Sequence, residues 1–282
     1  MEPLIITSSD PKVPEGPNQV EQTIAECVNA ADAGAAILHK HLIYQPYVPD
    51  TRIDIDVDRS VEVIRQVRKK TNAIFQLGIT RASDESRMAV ATRERVDMMS
   101  MTLGYQDQHN GAYPNVTHDR DEIVRWAKFC LDHGIVPEWE IFHSGCAWNL
   151  MYLIKHGYAK PPYWINLTMY PEGSSWSPRT MAEIDNRIKC LPEDSQWHLV
   201  CFARAVKDFV IAPVTPAEHN RLLTYAILAG GGIRVGKEER ADVTPGVPAK
   251  TNVDLINIFS DIATKLGRPP ATPEQARKIL RM

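Results

Sequence analysis

His39, Lys40 and His41 form a His-x-His triplet. Residues two apart on a β-strand point the same way, so a strand through this triplet aims both imidazoles to one side and Lys40 to the other. Two convergent imidazoles are half of a zinc site, which takes ring nitrogen at roughly 2.0–2.1 Å. A plain hydrogen-bonding pair of histidines is the competing reading. A second cluster, Arg234, Glu238 and Glu239, lies among Gly230, Gly231, Gly232 and Gly236. Alone it reads as a solvated charged turn. Beside the histidine pair it offers the carboxylate that a two-histidine site lacks. Two histidines and one carboxylate leave a coordination position open for water or substrate. The third feature is the pair Glu138 and Glu140, which share one strand face. Acids on a central strand are costly unless paired or liganded. Glu140 is the expected site residue, and Glu138 is expected to close a structural ion pair nearer the strand's start. Asp10, Thr80, Thr102, Asn166 and Arg204 are further polar groups at strand ends, suited to hold substrate or to anchor loops.

Short β-rich runs alternate with helical patterns along the whole chain. The runs predict strands at 4–8, 36–41, 73–77, 98–102, 136–142, 163–168, 196–202 and 232–235. Apolar spacing of 3.6 predicts helices at 20–33, 57–70, 84–92, 119–133, 147–156, 179–191, 215–229 and 251–266. Asp119 and Thr215-Pro216 read as helix starts, and Gly34, Gly134 and Gly157 as stops. Parallel neighbours need helical crossovers, and eight β-then-α units are the number that closes a (β/α)8 TIM barrel. An open doubly wound sheet would carry a glycine-rich turn after its first strand, where this chain has Ser8-Ser9-Asp10-Pro11. The expectation is one α/β domain over 1–282, with the barrel at about 4–266 and a tail at 267–282 holding a helix at 273–281. The long non-helical stretches follow strands, which puts them at the C-terminal face where barrel active sites are built. The His-x-His pair falls on that face too, which favours the metal reading over the hydrogen-bonding one.

Composition narrows the class without naming a function. Of 282 residues, 44% are apolar and 24% charged, which excludes disordered and fibrous classes. The net charge of −3 argues against nucleic acid or an anionic membrane as the main partner. No apolar run approaches the ~18 residues of a spanning helix. The acidic N-terminus does not read as a signal peptide. Five scattered cysteines with no Cys-x-x-Cys fit reduced thiols and a cytoplasmic location.

Residues 33–41, Ala-Gly-Ala-Ala-Ile-Leu-His-Lys-His, residues 134–142 and residues 231–238 agree in order and spacing with one family, as does the tail at 266–273. In these segments the chain resembles the β-keto acid cleavage enzymes, among them 3-keto-5-aminohexanoate cleavage enzyme. The resemblance implies a (β/α)8 barrel, a divalent metal (usually zinc), acetyl-CoA as co-substrate and a homotetramer. It implies that a β-keto acid and acetyl-CoA give acetoacetate and a new acyl-CoA. It assigns His39, His41 and Glu238 to the metal, Arg234 and Glu239 to carbanion formation, and Glu140 to proton transfer or to orienting a group of the zinc site. Departures from the family pattern fall at Lys40, Gly78, Thr102, the segment before Arg204, and Glu239 where aspartate is usual. They leave the metal set intact and alter the substrate and CoA side. A metal-dependent lyase or hydrolase that has dropped CoA is therefore the alternative, and a non-catalytic metal-bound barrel is the third reading. Iron, cobalt or manganese would suit the same ligands.

Overall fold

The computed structural model describes residues 2–45, 53–78, 80–106, 116–170, 178–203 and 214–282. Eight parallel strands close into a barrel: β1 (Ile6–Ser8), β2 (Ile37–Lys40), β3 (Ile74–Leu77), β4 (Met98–Thr102), β5 (Val136–Ile141), β6 (Tyr163–Met169), β7 (Ser195–Cys201) and β8 (Gly232–Val235). Each strand pairs with the next in chain order, and β8 returns to β1 with Arg234 opposite Thr7. The expected barrel is therefore the observed one.

Helices α1 (Gln19–Asp32), α2 (Val57–Lys70), α3 (Asp84–Arg93), α4 (Arg120–His133), α5 (Ser144–Lys155), α6 (Met181–Lys189), α7 (Pro216–Leu228) and α8 (Asn252–Lys265) alternate with the strands. Local chemistry fixes their starts. Asp119 accepts from the Glu122 amide at 2.8 Å, and Thr215 and Glu218 form a reciprocal capping box behind Pro216. Gly134 ends α4 in the left-handed region at φ 63°, which a side chain would resist. Helix α5 begins three residues earlier than its apolar spacing predicts, because the His143 ring accepts from the Gly145 amide at 3.1 Å and caps it. Two short antiparallel hairpins, at 105–106 with 116–117 and at 242–244 with 247–248, lie in stretches that the sequence reads as loop.

Side-chain alternation sorts the barrel into layers. Outward residues such as Leu38, Phe75, Met99, Trp139, Ile165 and Leu199 join the core between strands and helices. Low on the inner face, Ile5, Ile37, Ile74, Met98 and Trp164 form a separate apolar cluster. Helix α9 (Pro273–Ile279) closes that end, contributing Ala276 with Ala271 and Leu280 beside it. The tail is pinned there by Leu4 N to Pro269 O (2.9 Å) and Ala271 N to Leu4 O (2.8 Å). Above this floor the inner residues are polar and buried: Thr7, His39, Gln76, Ser100, Glu138, Asn166, His198 and Arg234. An apolar base thus carries a polar upper barrel, and the polar half is where chemistry can occur.

Candidate active site

Strand β2 delivers His39, and His41 follows just past its end. Their Nε2 atoms are 3.2 Å apart, with the rings edge to face. Lys40 between them turns away, as its strand position predicts, and donates from Nζ to the Ser9 carbonyl at 2.7 Å. Glu238, on the turn after β8, brings Oε1 to 3.3 Å from His41 Nε2. One ligand atom from each of His39, His41 and Glu238 lies within 4.8 Å of the others, and among the described residues this is a cluster able to hold a metal ion.

Electrostatics favour that use. Burial, then the Arg234 charge, hold the His39 imidazole far below its usual range, and burial brings His41 down to about 4. Both rings are neutral at pH 7, the form that ligates metals. Burial opposes ionisation of Glu238, yet His41, Lys12 and Arg234 outweigh it and keep the carboxyl well below its ordinary value.

Gly78 completes the cradle. A Cβ at this position would stand 2.6 Å from His39 Nε2 and 2.8 Å from His41 Cδ2. The sequence marks Gly78 as a departure; the structure shows that its bare α-carbon is what lets both rings occupy their places.

Arg234 lies inside the barrel and forks between two acids. Its Nε donates to Glu239 Oε1 at 2.7 Å and an Nη donates to Glu238 Oε2 at 3.0 Å. Burial raises the Glu239 pKa despite the neighbouring guanidinium. Asn252, the first residue of α8, ties this turn to β1: it accepts from the Lys237 amide at 2.9 Å and donates to the Ser9 carbonyl at 2.8 Å.

On β5, Glu140 Oε2 accepts from Thr102 Oγ1 at 2.5 Å. Burial, then the Glu138 charge, raise the Glu140 carboxyl to about 7. Glu138 stands 2.7 Å from His198 Nε2, with both side chains fully buried. Burial holds the His198 ring below its usual range, so at pH 7 this contact sets a carboxylate beside a neutral imidazole, in place of the expected ion pair.

The remaining expected residues divide. Asp10 accepts from the His41 and Lys12 amides, each at 3.3 Å, and its own amide donates to Glu238 at 3.4 Å. It therefore braces the His39, His41 and Glu238 cluster. Thr102 meets Glu140, Asn166 accepts from Thr168 Oγ1 at 2.8 Å, and Thr80 is buried beyond the end of β3. Arg204 lies outside the described residues. Sequence reasoning missed Lys12, Gln76, Ser100 and His198. Lys12 Nζ lies 3.7 Å from Glu238 Oε1. Gln76 and Ser100 were detectable as the inward neighbours, two residues earlier, of Gly78 and Thr102.

A profile of the beta-keto acid cleavage enzyme family matches residues 6–282. The chain is 28% identical to 3-keto-5-aminohexanoate cleavage enzyme of Acetoanaerobium sticklandii, covering 99% of this chain and 98% of that protein. It is 24% identical to 3-oxoadipate:acetyl-CoA acetyltransferase of Cupriavidus necator, over 98% of this chain and 93% of that one. Among solved structures, apo ObcA superposes with a TM-score of 0.68 at 15% identity, a likeness of fold. That match covers 93% of this chain but 64% of the ObcA chain, so this chain spans less than two thirds of it. With the profile matched over nearly its whole length, the chain belongs to the beta-keto acid cleavage enzyme family.

Proposed function

We propose that this protein cleaves a β-keto acid with acetyl-CoA, giving acetoacetate and a new acyl-CoA, at a divalent metal held by His39, His41 and Glu238. The observation that carries this reading is the adjacency of that ligand triangle to the Arg234–Glu239 pair. The donor set fits a metal: two neutral imidazoles, an ionised carboxylate, and a glycine where any side chain would displace a ring. Zinc is the ion that two nitrogens and one oxygen favour in a site with an open position. When bound, the metal supplies Lewis-acid polarisation of the substrate ketone.

The chain's own residues supply the rest. Glu239, a buried carboxylate with a raised pKa, is proposed to take a proton from Cα of the keto acid, the carbon between its ketone and its carboxylate. Arg234 holds Glu239 in place and offers positive charge as enolate character develops. The Cα carbanion attacks the thioester carbonyl of acetyl-CoA and displaces CoA as its thiolate. The thiolate then adds to the original ketone carbon, and breaking the Cα–Cβ bond leaves the acyl portion on CoA and releases acetoacetate, whose carbanion takes the proton back. Glu140, titrating near neutrality, relays a proton with Thr102 orienting it. Asp10, Thr80 and Arg204 are proposed to line the substrate side.

Incubating the protein with a β-keto acid panel and acetyl-CoA should yield acetoacetate and a matching acyl-CoA. Absence of both across the panel refutes the reading. His39→Ala should abolish bound metal and turnover together; retained turnover removes the metal from the mechanism. The CoA-free lyase reading, kept open by the altered strand-end motifs, is decided by thermal shift. Stabilisation by CoA thioesters excludes it.

We further propose one domain over residues 1–282, a cytoplasmic location and a homotetramer. The five cysteines are free, four of them buried, which supports a reducing compartment. Trp148, 74% exposed on α5, supports a subunit contact, to be checked by light scattering.

A further inference from the structure

Lys40 is fully buried on the outer side of β2, turned away from His39 and His41. Its surroundings there are apolar. Leu77 is its register partner on β3, and Leu38 lies two residues before it on the same side; both belong to the core between strands and helices. An amine in such a setting costs free energy unless it is hydrogen-bonded, and an apolar side chain would fill the place without that cost. Lys40 Nζ donates to the Ser9 carbonyl at 2.7 Å. The same carbonyl accepts from Asn252 Nδ2 at 2.8 Å. Two lone pairs let one carbonyl oxygen take both donors. Ser9 therefore has a partner without Lys40, so stability alone does not account for the buried amine.

The Ser9 carbonyl is half of a peptide group whose other half is the Asp10 N–H. That peptide is trans. A trans peptide is planar, with its C=O and N–H pointing to opposite sides. Drawing the carbonyl outward to Lys40 therefore turns the N–H inward, where it donates to Glu238 Oε2 at 3.4 Å. Arg234 donates to the same oxygen at 3.0 Å. With two donors on Oε2, Glu238 presents Oε1 to the histidines, 3.3 Å from His41 Nε2. The Ser9 amide is itself held by the Val235 carbonyl at 3.1 Å, which ties the same segment to β8. One buried amine on the outside of the barrel thus reaches, through a single rigid peptide, the carboxylate on the inside.

We propose that Lys40 is a positioning residue that sets the plane of the Ser9–Asp10 peptide and, through the Asp10 N–H, holds Glu238 with Oε1 toward the metal. The inference rests on the metal reading above. Outer groups that hydrogen-bond a ligating carboxylate fix its orientation, and their loss weakens the metal. Without the amine, Asn252 alone holds the Ser9 carbonyl, from the α8 side. The peptide can then tilt, and the Asp10 N–H leaves Glu238.

The test measures zinc affinity by chelator competition, the visible spectrum of the cobalt-loaded protein, and the melting temperature of the metal-free protein. Wild type should bind both ions. Lys40→Met keeps an apolar stem and deletes the donor. It should lose about 10–100-fold in zinc affinity and shift the cobalt bands. Its metal-free melting temperature should stay at or above wild type, because the Ser9 carbonyl keeps Asn252 and the stem suits the surrounding core. Lys40→Arg, which keeps a donor, should recover most of the affinity. Wild-type zinc affinity in Lys40→Met overturns the proposal, whether or not the melting temperature falls. Affinity in Lys40→Arg as low as in Lys40→Met, with the melting temperature intact, overturns it too. A wild-type chain that binds neither ion overturns the metal reading and this inference with it, whereas equal binding by wild type and Lys40→Met overturns this inference alone.

Discussion

Glu138 and Glu140 share one face of β5, two residues apart, and hold different charge states. Glu138 keeps its charge beside His198, whereas Glu140 is pushed up to about 7 by burial and by the Glu138 charge. The sign of the pH effect follows. A base must be deprotonated, so turnover should be present above about pH 7 and fall as pH drops through the Glu140 pKa. With metal saturating, the acid limb should move to lower pH in Glu138→Gln, since one cause of the elevation is gone. Glu140→Gln should lower kcat by roughly 10²–10⁴-fold. An acid limb that stays unchanged in Glu140→Gln would assign the titration elsewhere. Gly78→Ala is a sharper residue-scale test of the cradle. Its methyl would intrude to 2.6 Å from His39 Nε2, so metal affinity should fall by at least tenfold while the far-ultraviolet spectrum stays native. Wild-type affinity would show that the rings can yield.

At the scale of elements, arginines from the outer helices clamp the strand ends that carry the site. Arg187 on α6 donates to the carbonyls of Ile141, Thr168 and Phe142, each at 2.8 Å, and its Nε pairs with Glu183. It therefore fixes the upper ends of β5 and β6, one residue beyond Glu140. Arg87 on α3 does the same for β4, donating to the Ser100 carbonyl at 2.6 Å while stacking over Trp126. Backbone at a barrel rim runs out of ladder partners, and a guanidinium with several donors satisfies it without adding a bulky layer. Arg187→Met should destabilise the protein by about 3–5 kcal/mol in urea unfolding, the range for breaking a buried charged contact. A change under about 1 kcal/mol would mean the carbonyls find other partners.

At the scale of the molecule, a barrel with a charged interior needs stability from elsewhere. It comes from the strand–helix core and from the apolar floor under α9. Ala276 is fully buried there. Ala276→Asp would place an unpaired carboxylate against Ile37, Ile74 and Trp164, and should lower the thermal midpoint by many degrees. Metal affinity of the folded fraction should not change, because the floor lies beneath the polar layers. An unchanged midpoint would show that the tail is not a structural plug.

Several of these features were legible in the chain itself. Period-2 and period-3.6 patterns, with caps such as Asp119 and Thr215, are local, so strands and helices fell within a few residues of their places. The His-x-His spacing fixed that two imidazoles share a face, because strand alternation depends on nothing distant. Arg234, Glu238 and Glu239 lie five residues apart or less, so their fork was also within reach of local reasoning. What only the tertiary structure decided involves contacts between strands. Glu138 meets His198 from 60 positions away in number and two strands away in space, and no periodicity announces that pairing. The value of Gly78 depends on rings carried by the neighbouring strand. The cap on the barrel floor was legible as a helix but not as a plug, because sequence fixes an amphipathic segment without fixing the surface it covers. Alternation sets which way a side chain points; closure of the sheet decides what it meets.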